Sequence, residues 1–301
     1  EEVVDWIREI EIAEPYAYVG TDKNGILVYN INDIKNPKYL AKFQIGSDLD
    51  EDKDSNVNNL YEVRQIELHP SKAIAYVANT TNPANDFRIL DTSDPLHISE
   101  LSRFRLSMIP TQTITTSTSA DEVLHPNRYV NDFFIEYDND KVYAYLASWE
   151  NGLIVVDITN TGQPKYITSI TYENQRFTGS VVIQKFHQKK YAFVNDESFL
   201  SNVTVLNVSD IHSVEFVTQY HLRKGLFAKK LFVNGSKIYA ASYNEGLQVL
   251  DFNERELKQT SFFYVSNEDS LYSPSVGVWD IFVQDNTLFV SDMENGLFVL
   301  R

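Results

Sequence analysis

Residues 148–158 read Ser-Trp-Glu-Asn-Gly-Leu-Ile-Val-Val-Asp-Ile, and this stretch decides the fold of the 301-residue chain. Ser148 ends one strand, and the chain then turns at Gly152, where glycine adopts the left-handed backbone conformation that a tight turn requires. The apolar run after Gly152 has the length and the β-branched composition of a buried strand. Residues 148–158 therefore predict a β-hairpin whose second strand is buried.

Variants of this hairpin recur along the chain, and a hydrophobic hairpin that is copied in this way indicates a repeat architecture. Alignment on the turn residue gives six units, with turns at Gly25, Asp86, Gly152, Asn202, Gly246 and Gly296. Asp and Asn suit two of these positions because they tolerate the left-handed region better than other residues with side chains.

Each unit has two strands before the turn and one buried strand after it, and a fourth strand follows a second turn. Residues 278–283 and 287–291 show the first two strands most clearly. Four short antiparallel strands, repeated about every 45–65 residues, are typical of propeller blades. The sequence thus predicts a single all-β domain, residues 1–301, folded as a six-bladed β-propeller with blades at about residues 1–46, 60–106, 129–172, 178–221, 226–265 and 276–301.

The Gly-Leu-Ile-Val-Val-Asp run at residues 152–157, followed by Pro164, resembles the LVIVD-repeat family of β-propellers. Residues 86–91 and 202–207 depart from this pattern in the second and fourth units. The resemblance implies a secreted or cell-surface protein. It transfers no functional residues, because the family has no agreed catalytic motif.

The composition excludes several classes of function. With 26 Lys and Arg against 42 Asp and Glu, the formal charge is −16, which repels nucleic acid and anionic membranes. No apolar run reaches the roughly 18 residues of a membrane-spanning helix, so we expect no membrane insertion by this segment. The chain has no cysteine, which excludes disulfides, thiolate metal sites and cysteine nucleophiles.

Two insertions interrupt the repeat, at residues 46–59 and 107–128. Both follow a fourth strand and precede a first strand, so we expect them on the same rim, where long loops commonly bind ligands. The acidic insertion places carboxylates at alternate positions, as the first ligands of a calcium loop are placed: Asp48, Asp50, Asp52 and Asp54. Lys53 and Asn59 then stand where that loop requires Gly and Glu. The sequence therefore predicts no cofactor, with calcium as the alternative.

The first strand of each blade lines the central channel of a propeller, so its polar residues form a candidate ligand site. Alignment on the last unit gives one tier of such residues: Arg8, Glu9, Arg64, Gln65, Asn131, Asp132, Lys229, Lys230, Trp279 and Asp280. Cations and carboxylates around one tier suit a small ligand or an anion. A charge-balanced network that joins adjacent blades is the alternative interpretation.

A second candidate set lies three residues before the turn: Trp149, Tyr243 and Met293. Large apolar side chains at this rim either form a recognition patch, since Trp and Tyr dominate binding hot spots, or pack between blades.

The sixth unit stops at Arg301, directly after its third strand. Propellers usually close by completing the last blade with a strand from the other chain end, and residues 1–5 are too short for this. We therefore expect a last blade that has three strands, or that residues 1–5 complete imperfectly, with a partly exposed edge at residues 297–300, in a chain cut from a longer surface protein.

These observations predict a non-catalytic, secreted or cell-surface propeller that binds a protein or a glycan through its loop-bearing face. The alternative is an enzyme of the hydrolase or lyase type with a polar, metal-assisted site at the channel mouth. No histidine pair, Gly-x-Ser-x-Gly elbow or phosphate-binding glycine loop occurs in the sequence.

Overall fold

The structure is a computed structural model that describes residues 5–45, 59–81, 86–109, 129–173, 175–198, 202–222, 228–243, 245–264 and 277–301. Two of the predicted features fall outside these ranges. They are the calcium-loop candidates Asp48, Asp50, Asp52 and Asp54, and residues 110–128 of the second insertion.

The first three sheets each contain four strands that follow one another in chain order. Sheet 1 comprises β1 (Ile7–Ala13), β2 (Tyr16–Thr21), β3 (Ile26–Asn30) and β4 (Lys38–Phe43). Sheet 2 comprises β5 (Val63–Leu68), β6 (Ile74–Asn79), β7 (Asp86–Asp91) and β8 (Ser99–Arg105). Sheet 3 comprises β9 (Val130–Asp138), β10 (Lys141–Ser148), β11 (Gly152–Asp157) and β12 (Lys165–Ile170).

The remaining sheets continue the pattern, but the last has three strands in the described part of the chain. Sheet 4 comprises β13 (Thr178–Phe186), β14 (Lys189–Asp196), β15 (Asn202–Asn207) and β16 (Glu215–His221). Sheet 5 comprises β17 (Lys230–Asn234), β18 (Lys237–Ala241), β19 (Leu247–Phe252) and β20 (Leu257–Phe263). Sheet 6 comprises β21 (Val278–Gln284), β22 (Thr287–Asp292) and β23 (Gly296–Leu300).

The predicted six-bladed β-propeller is confirmed, including a last blade of three strands. A 3-10 turn at Leu106–Met108 is the one helical element that the described ranges contain. Within those ranges, no helix is both long and apolar enough to pass through a membrane.

The chain divides into two compact units, and each has its own core. Unit 1 contains Glu1–Ala144 and Val155–Ile167, and unit 2 contains Tyr145–Ile154 and Thr168–Arg301. In unit 1, apolar residues of sheet 1 pack on those of sheet 2. In unit 2, sheet 4 packs on sheet 5, and sheet 5 packs on sheet 6. Burial of each large aliphatic or aromatic side chain contributes about 1.5–3 kcal/mol.

Glycine occupies the turn between the second and third strands in four sheets, as predicted. Gly25, Gly152, Gly246 and Gly296 have φ angles of 65°, 75°, 73° and 78°. A side chain at Gly152 would also collide with the backbone oxygen of Ile170 on the neighbouring strand β12. This turn therefore needs glycine both for its backbone angle and for the close approach of β12.

The prediction that Asp86 and Asn202 occupy left-handed turn positions is wrong. Among the described residues, the non-glycine positions with positive φ are Asn139, His187, Tyr243, Glu254 and Asp285. Asp86 and Asn202 instead begin β7 and β15, with their side chains fully buried. In sheets 2 and 4 a longer connection precedes the third strand, so the tight turn does not fall on these residues.

Candidate functional site

The connection between β18 and β19 organises the rim of sheet 5. The Ser242 N–H donates to the Gly246 carbonyl at 2.8 Å, and the Gly246 N–H donates to the Tyr243 carbonyl at 3.0 Å. Tyr243 also forms a bridge to Val278 at the start of sheet 6, with N–H···O distances of 3.1 and 2.9 Å. The bridge fixes Tyr243 at φ 44° and joins the turn to β21.

Four side chains meet on one side of this turn, and we call them the Glu197 cluster: Glu197, Lys229, Tyr243 and Trp279. Lys229 Nζ lies 3.0 Å from Glu197 Oε1 and 5.1 Å from the centroid of the Trp279 ring. The Tyr243 hydroxyl donates to Glu197 Oε2 at 3.5 Å, and its ring meets Trp279 edge-to-face with centroids 6.1 Å apart. The Glu197 and Lys229 side chains are only 8% and 11% exposed.

The Glu197 cluster brings together three residues that the sequence placed in two separate candidate sets. Lys229 and Trp279 belong to the channel tier, and Tyr243 belongs to the rim set. A cation held between a carboxylate and an indole face is a stable local arrangement, since a cation–π contact contributes about 0.5–2 kcal/mol. Gly179 permits it, because a side chain at that position would meet the Glu197 carboxylate at 2.6 Å.

The channel-tier residues of unit 1 make contacts with nearby strands. Arg8 forms a two-pronged ion pair with Asp22, in which Nη2 lies 2.6 Å from Oδ2. Arg64 Nη2 lies 2.9 Å from Glu62 Oε1. The Gln65 amide donates to the Phe133 carbonyl at 3.1 Å.

The other tier residues are distributed between the two units. In unit 1, Glu9 accepts a hydrogen bond from the Ile10 N–H at 3.3 Å, and Asn131 and Asp132 are buried. In unit 2, Lys230 is half-buried at the start of β17, and Asp280 Oδ1 accepts from the Ile281 N–H at 2.7 Å. Most of these pairings lie within one sheet, so both the small-ligand site and the network that joins adjacent blades stay predictions.

The three residues of the rim set, Trp149, Tyr243 and Met293, differ in their contacts and in their exposure to solvent. Trp149 stacks on Phe177, the residue before β13, with ring centroids 4.9 Å apart. Tyr243 is 8% exposed and contacts Trp279 as described above. Met293 is 39% exposed. Trp149 and Tyr243 thus contact aromatic rings at the start of the next sheet, whereas Met293 faces solvent.

A cleft that the sequence did not predict lies beside the β18–β19 turn, of which Ser242 and Glu245 line it. It encloses about 500 Å³ of space, open solvent at its mouth included, between β16 of sheet 4 and β19 and β20 of sheet 5. We call it the rim cleft, and it is lined by Tyr220, Leu222, Ser242, Glu245, Gln248, Gln259, Phe262 and Tyr264. Leu247 pairs with Phe263, so the turn and the end of β20 lie at the same end of sheet 5.

A chain of hydrogen bonds links four residues that line the rim cleft. The Tyr220 hydroxyl donates to Gln259 Oε1 at 3.1 Å, Gln259 Nε2 donates to Gln248 Oε1, and Gln248 Nε2 donates to the Glu245 carbonyl at 3.1 Å. A primary amide has two N–H donors and two acceptor lone pairs. Each glutamine therefore keeps donor and acceptor capacity for a ligand, while its side chain is already oriented.

The charge and exposure of the lining residues define the kind of ligand that suits the rim cleft. Phe262 and Tyr264 are 63% and 43% exposed, so their ring faces are accessible. Among the described residues that line the cleft, Glu245 carries the one formal charge at neutral pH. The rim cleft thus combines accessible aromatic surface with neutral amides and a carboxylate.

Sequence reasoning missed the rim cleft because its residues come from three separate segments of the sequence. One signal was present at Gln248, a polar residue in the otherwise apolar run Leu-Gln-Val-Leu at residues 247–250. This side chain is 8% exposed, and burial of an amide is costly unless hydrogen bonds compensate for it.

Across the described ranges, no group of three or more His, Asp or Glu side chains is arranged to hold a metal ion. The calcium-loop candidates lie outside those ranges, so calcium binding there stays a prediction.

The LVIVD repeat matches two stretches, residues 7–41 and 142–171, which confirms the resemblance found in the sequence. The β-propeller domain of Myceliophteria thermophila Cps50 (Swd1) is similar in structure, with a TM-score of 0.62 and 12% identity over 97% of this chain and 82% of that chain. The computationally designed Ika8 protein gives a TM-score of 0.55 and 11% identity over 97% and 70% of the two chains. At such identities the similarity shows the fold alone. The comparison with curated proteins gives no match.

Proposed function

We propose that this chain is a non-catalytic binding module of a secreted or cell-surface protein, and that it binds a glycan in the rim cleft. The observation that carries the proposal is the hydrogen-bonded chain of Tyr220, Gln259 and Gln248 in a lining that also contains two exposed aromatic side chains. Binding sites typically combine apolar and aromatic surface with a few well-placed polar groups.

The chemistry of a neutral sugar suits each part of this lining. A sugar ring has C–H faces that pack on aromatic rings, here those of Phe262 and Tyr264. Its hydroxyl groups donate and accept hydrogen bonds at once, which matches the paired capacity of Gln248 and Gln259. Glu245 adds a carboxylate, which accepts hydrogen bonds from sugar hydroxyl groups.

The position of the cleft supports a role in recognition. It opens at the end of sheet 5 where the fourth strand stops and the chain leaves toward sheet 6. In the sequence, the two predicted insertions likewise follow the fourth strand of their units. Rigid strands that support variable loops are a common arrangement in binding proteins.

The test is a binding screen of the purified chain on immobilised neutral oligosaccharides, with anionic oligosaccharides and peptides on the same surface. We expect binding to a neutral glycan with little dependence on ionic strength, because an uncharged ligand forms no ion pair that salt could weaken. Phe262→Ser and Gln259→Ala should each weaken binding about tenfold, which corresponds to about 1.4 kcal/mol.

Phe216→Ser is the matched control. Phe216 is also an exposed aromatic residue, 53% exposed, but it lies near the start of β16 and does not line the cleft. Its substitution should leave glycan binding unchanged. Binding only to peptides, or glycan binding that neither cleft variant weakens, would contradict the proposal.

A further inference from the structure

A row of polar side chains crosses one end of sheet 4. Thr178 on β13 lies opposite Asp196, the last residue of β14. Asn195 lies opposite Val203, so the next step of the same register places Asp196 opposite Asn202, the first residue of β15. Opposite residues of antiparallel strands project from the same face of a sheet. We call Thr178, Asp196 and Asn202 the sheet 4 polar row, and each of them is 0% exposed.

The carboxylate of Asp196 is hydrogen-bonded at one oxygen only. Its Oδ2 accepts from the backbone N–H groups of Arg176 and Phe177, at 2.6 and 2.8 Å. Its Oδ1 is buried and has no hydrogen-bond partner among the described residues. The two backbone donors orient the side chain, but they do not neutralise its charge. Burial of a charged group is costly unless a partner compensates for it.

The side chain of Asn202 is also unsatisfied. Both Oδ1 and Nδ2 are buried, and neither forms a hydrogen bond within the described part of the chain. Buried polar atoms of proteins nearly always have a partner, which is another protein group, an ordered water molecule or an ion. The sheet 4 polar row therefore contains two buried oxygen atoms, one of Asp196 and one of Asn202, that require such a partner.

Sheet 2 shows how the protein satisfies the same pair of residue types. Asn79 ends β6 and lies opposite Asp86, which begins β7, so the amide and the carboxylate occupy the two positions in reverse order. Asn79 Nδ2 donates to Asp86 Oδ1 at 2.8 Å. Arg88 places its Nε 2.8 Å from the same oxygen. In sheet 2 the guanidinium of Arg88 thus neutralises the buried carboxylate.

Sheet 4 has neutral residues at the positions of the sheet 2 arginines. Thr204 is the third residue of β15, as Arg88 is the third residue of β7. Gln219 lies opposite Thr204, as Arg103 lies opposite Arg88. Gln219 Nε2 donates to the Thr204 hydroxyl at 2.8 Å, so these two side chains satisfy each other. Sheet 4 therefore retains a buried carboxylate and a buried amide, but the chain supplies no cation at these two positions.

The oxygen atoms beside Asp196 suit a hard cation. The Tyr172 hydroxyl and Thr178 Oγ1 are 2.9 Å apart. Desolvation raises the pKa of the Tyr172 hydroxyl above its ordinary value, and the nearby Asp196 carboxylate raises it further, so this hydroxyl is uncharged at neutral pH. Carboxylate and carbonyl oxygens are the ligands that hard cations prefer.

The charge of the row indicates which cation fits. Asp196 supplies its one negative charge, which a monovalent cation neutralises, whereas calcium sites commonly combine several carboxylates. A water molecule would supply hydrogen bonds but would leave this charge uncompensated.

We propose that the sheet 4 polar row binds a monovalent metal cation, Na⁺ or K⁺, between Asp196 Oδ1 and the side-chain carbonyl oxygen of Asn202, with the Thr178 hydroxyl as a further ligand. The cation has the role in sheet 4 that the Arg88 guanidinium has in sheet 2. It neutralises the buried carboxylate and holds together the start of β13, the end of β14 and the start of β15.

The test is urea unfolding of the purified chain, followed by circular dichroism, in chloride salts of different cations at one ionic strength. Constant ionic strength keeps the screening of the formal charge of −16 unchanged. A ligand that binds only the folded state stabilises it as the ligand concentration rises. We therefore expect the urea midpoint to rise as Na⁺ or K⁺ replaces choline.

Two variants with the same net charge locate the cation. Asp196→Asn removes the charged ligand with little change of shape and should lower the affinity for the cation at least about tenfold. Asp292→Asn is the matched control, because Asp292 is a second buried carboxylate with an oxygen, Oδ2, that has no partner among the described residues. Gly296 lies opposite Asp292 and supplies no second ligand. Asp292→Asn should therefore keep the wild-type dependence on the cation.

Sodium NMR measures the same binding without unfolding. Wild type and Asp292→Asn should broaden the sodium line more than Asp196→Asn does, and added K⁺ should remove the difference. Asn202→Ala keeps the carboxylate but removes the amide oxygen, and it should resemble Asp196→Asn. Circular dichroism establishes that each variant is folded.

Several results would overturn the proposal. A urea midpoint that is equal in Na⁺, K⁺ and choline would assign the partner of Asp196 Oδ1 to the Asn202 amide or to water. A cation dependence that Asp196→Asn retains, or that Asp292→Asn loses, would place the cation elsewhere. Stabilisation by Ca²⁺ alone would contradict a monovalent site. The sheet 4 polar row and the rim cleft have no residue in common, so cation binding and glycan binding fail independently.

Discussion

Replacement of Asp86 by alanine should destabilise unit 1 strongly, because it removes a counterion from a fully buried cation. The Arg88 and Asp86 side chains are both 0% exposed, and Arg88 Nε lies 2.8 Å from Asp86 Oδ1. Removal of one partner from a buried ion pair typically costs about 3–5 kcal/mol. Glu100 Oε2 remains 2.9 Å from Arg88 Nη1, so we expect a loss of about 3 kcal/mol, at the lower end of that range.

Urea unfolding of the wild type and of Asp86→Ala, followed by circular dichroism, measures this loss. The double variant Asp86→Ala with Arg88→Met tests the cause, because it removes both the Asp86 carboxylate and the Arg88 guanidinium that Asp86→Ala alone leaves buried without this counterion. Glu100 keeps Arg103 as a partner in this variant, with Nε 2.6 Å from Oε1. The double variant should recover about 2 kcal/mol relative to Asp86→Ala. A single-variant loss below about 1 kcal/mol, or a double variant less stable than the single one, would refute the reasoning.

Two further predictions concern the turns and the tyrosines. Gly152→Ala should lower the free energy of unfolding by about 1–2 kcal/mol because of its positive φ, and by a further amount because the added Cβ collides with the Ile170 carbonyl. Gly296→Ala should lose only the part that is due to positive φ, because nothing lies within 4 Å of its added Cβ. Equal losses in urea unfolding would show that the approach of β12 does not constrain Gly152. Burial raises the pKa of Tyr76 above the ordinary value, and partial burial together with the neighbouring Tyr76 hydroxyl and the Glu67 carboxylate raises the pKa of Tyr137. Because a raised pKa in the folded state favours the neutral phenol, their contribution to stability should be complete below about pH 10 and be lost as pH rises above it. Above about pH 10, the free energy of unfolding should fall less steeply with pH in Tyr137→Phe than in the wild type. An unchanged slope would show that Tyr137 does not cause the loss of stability.

The fold was predictable because its determinants are local in the sequence. The glycine turn and the apolar strand after it repeat often enough to define six units, and the structure has a positive φ at Gly25, Gly152, Gly246 and Gly296. The sequence could not place Asp86, because the length of the preceding connection, and not the residue type, decides whether a tight turn occurs there.

The candidate site was less predictable because its geometry depends on contacts between strands that are distant in sequence. Lys229 and Trp279 were identified as polar or aromatic positions of first strands, but Glu197, the ion-pair partner of Lys229, follows the second strand of sheet 4. The rim cleft depends in the same way on the packing of β16 beside β20. Tyr220 and Gln259 are 39 residues apart, and no periodicity in the sequence relates them.

The most direct test of glycan binding in the rim cleft is an NMR titration that follows the side-chain amide signals of Gln248 and Gln259. The Gln259 signal is assigned by its loss in Gln259→Ala, and the Gln248 signal by its loss in Gln248→Glu. The titrant is the neutral oligosaccharide that gives the strongest signal in the binding screen. We predict that both amide signals shift in proportion to the bound fraction, while the side-chain amide of Gln65 in unit 1 does not shift. Saturable glycan binding that leaves the chemical shifts of the Gln248 and Gln259 amides unchanged would contradict binding in the rim cleft.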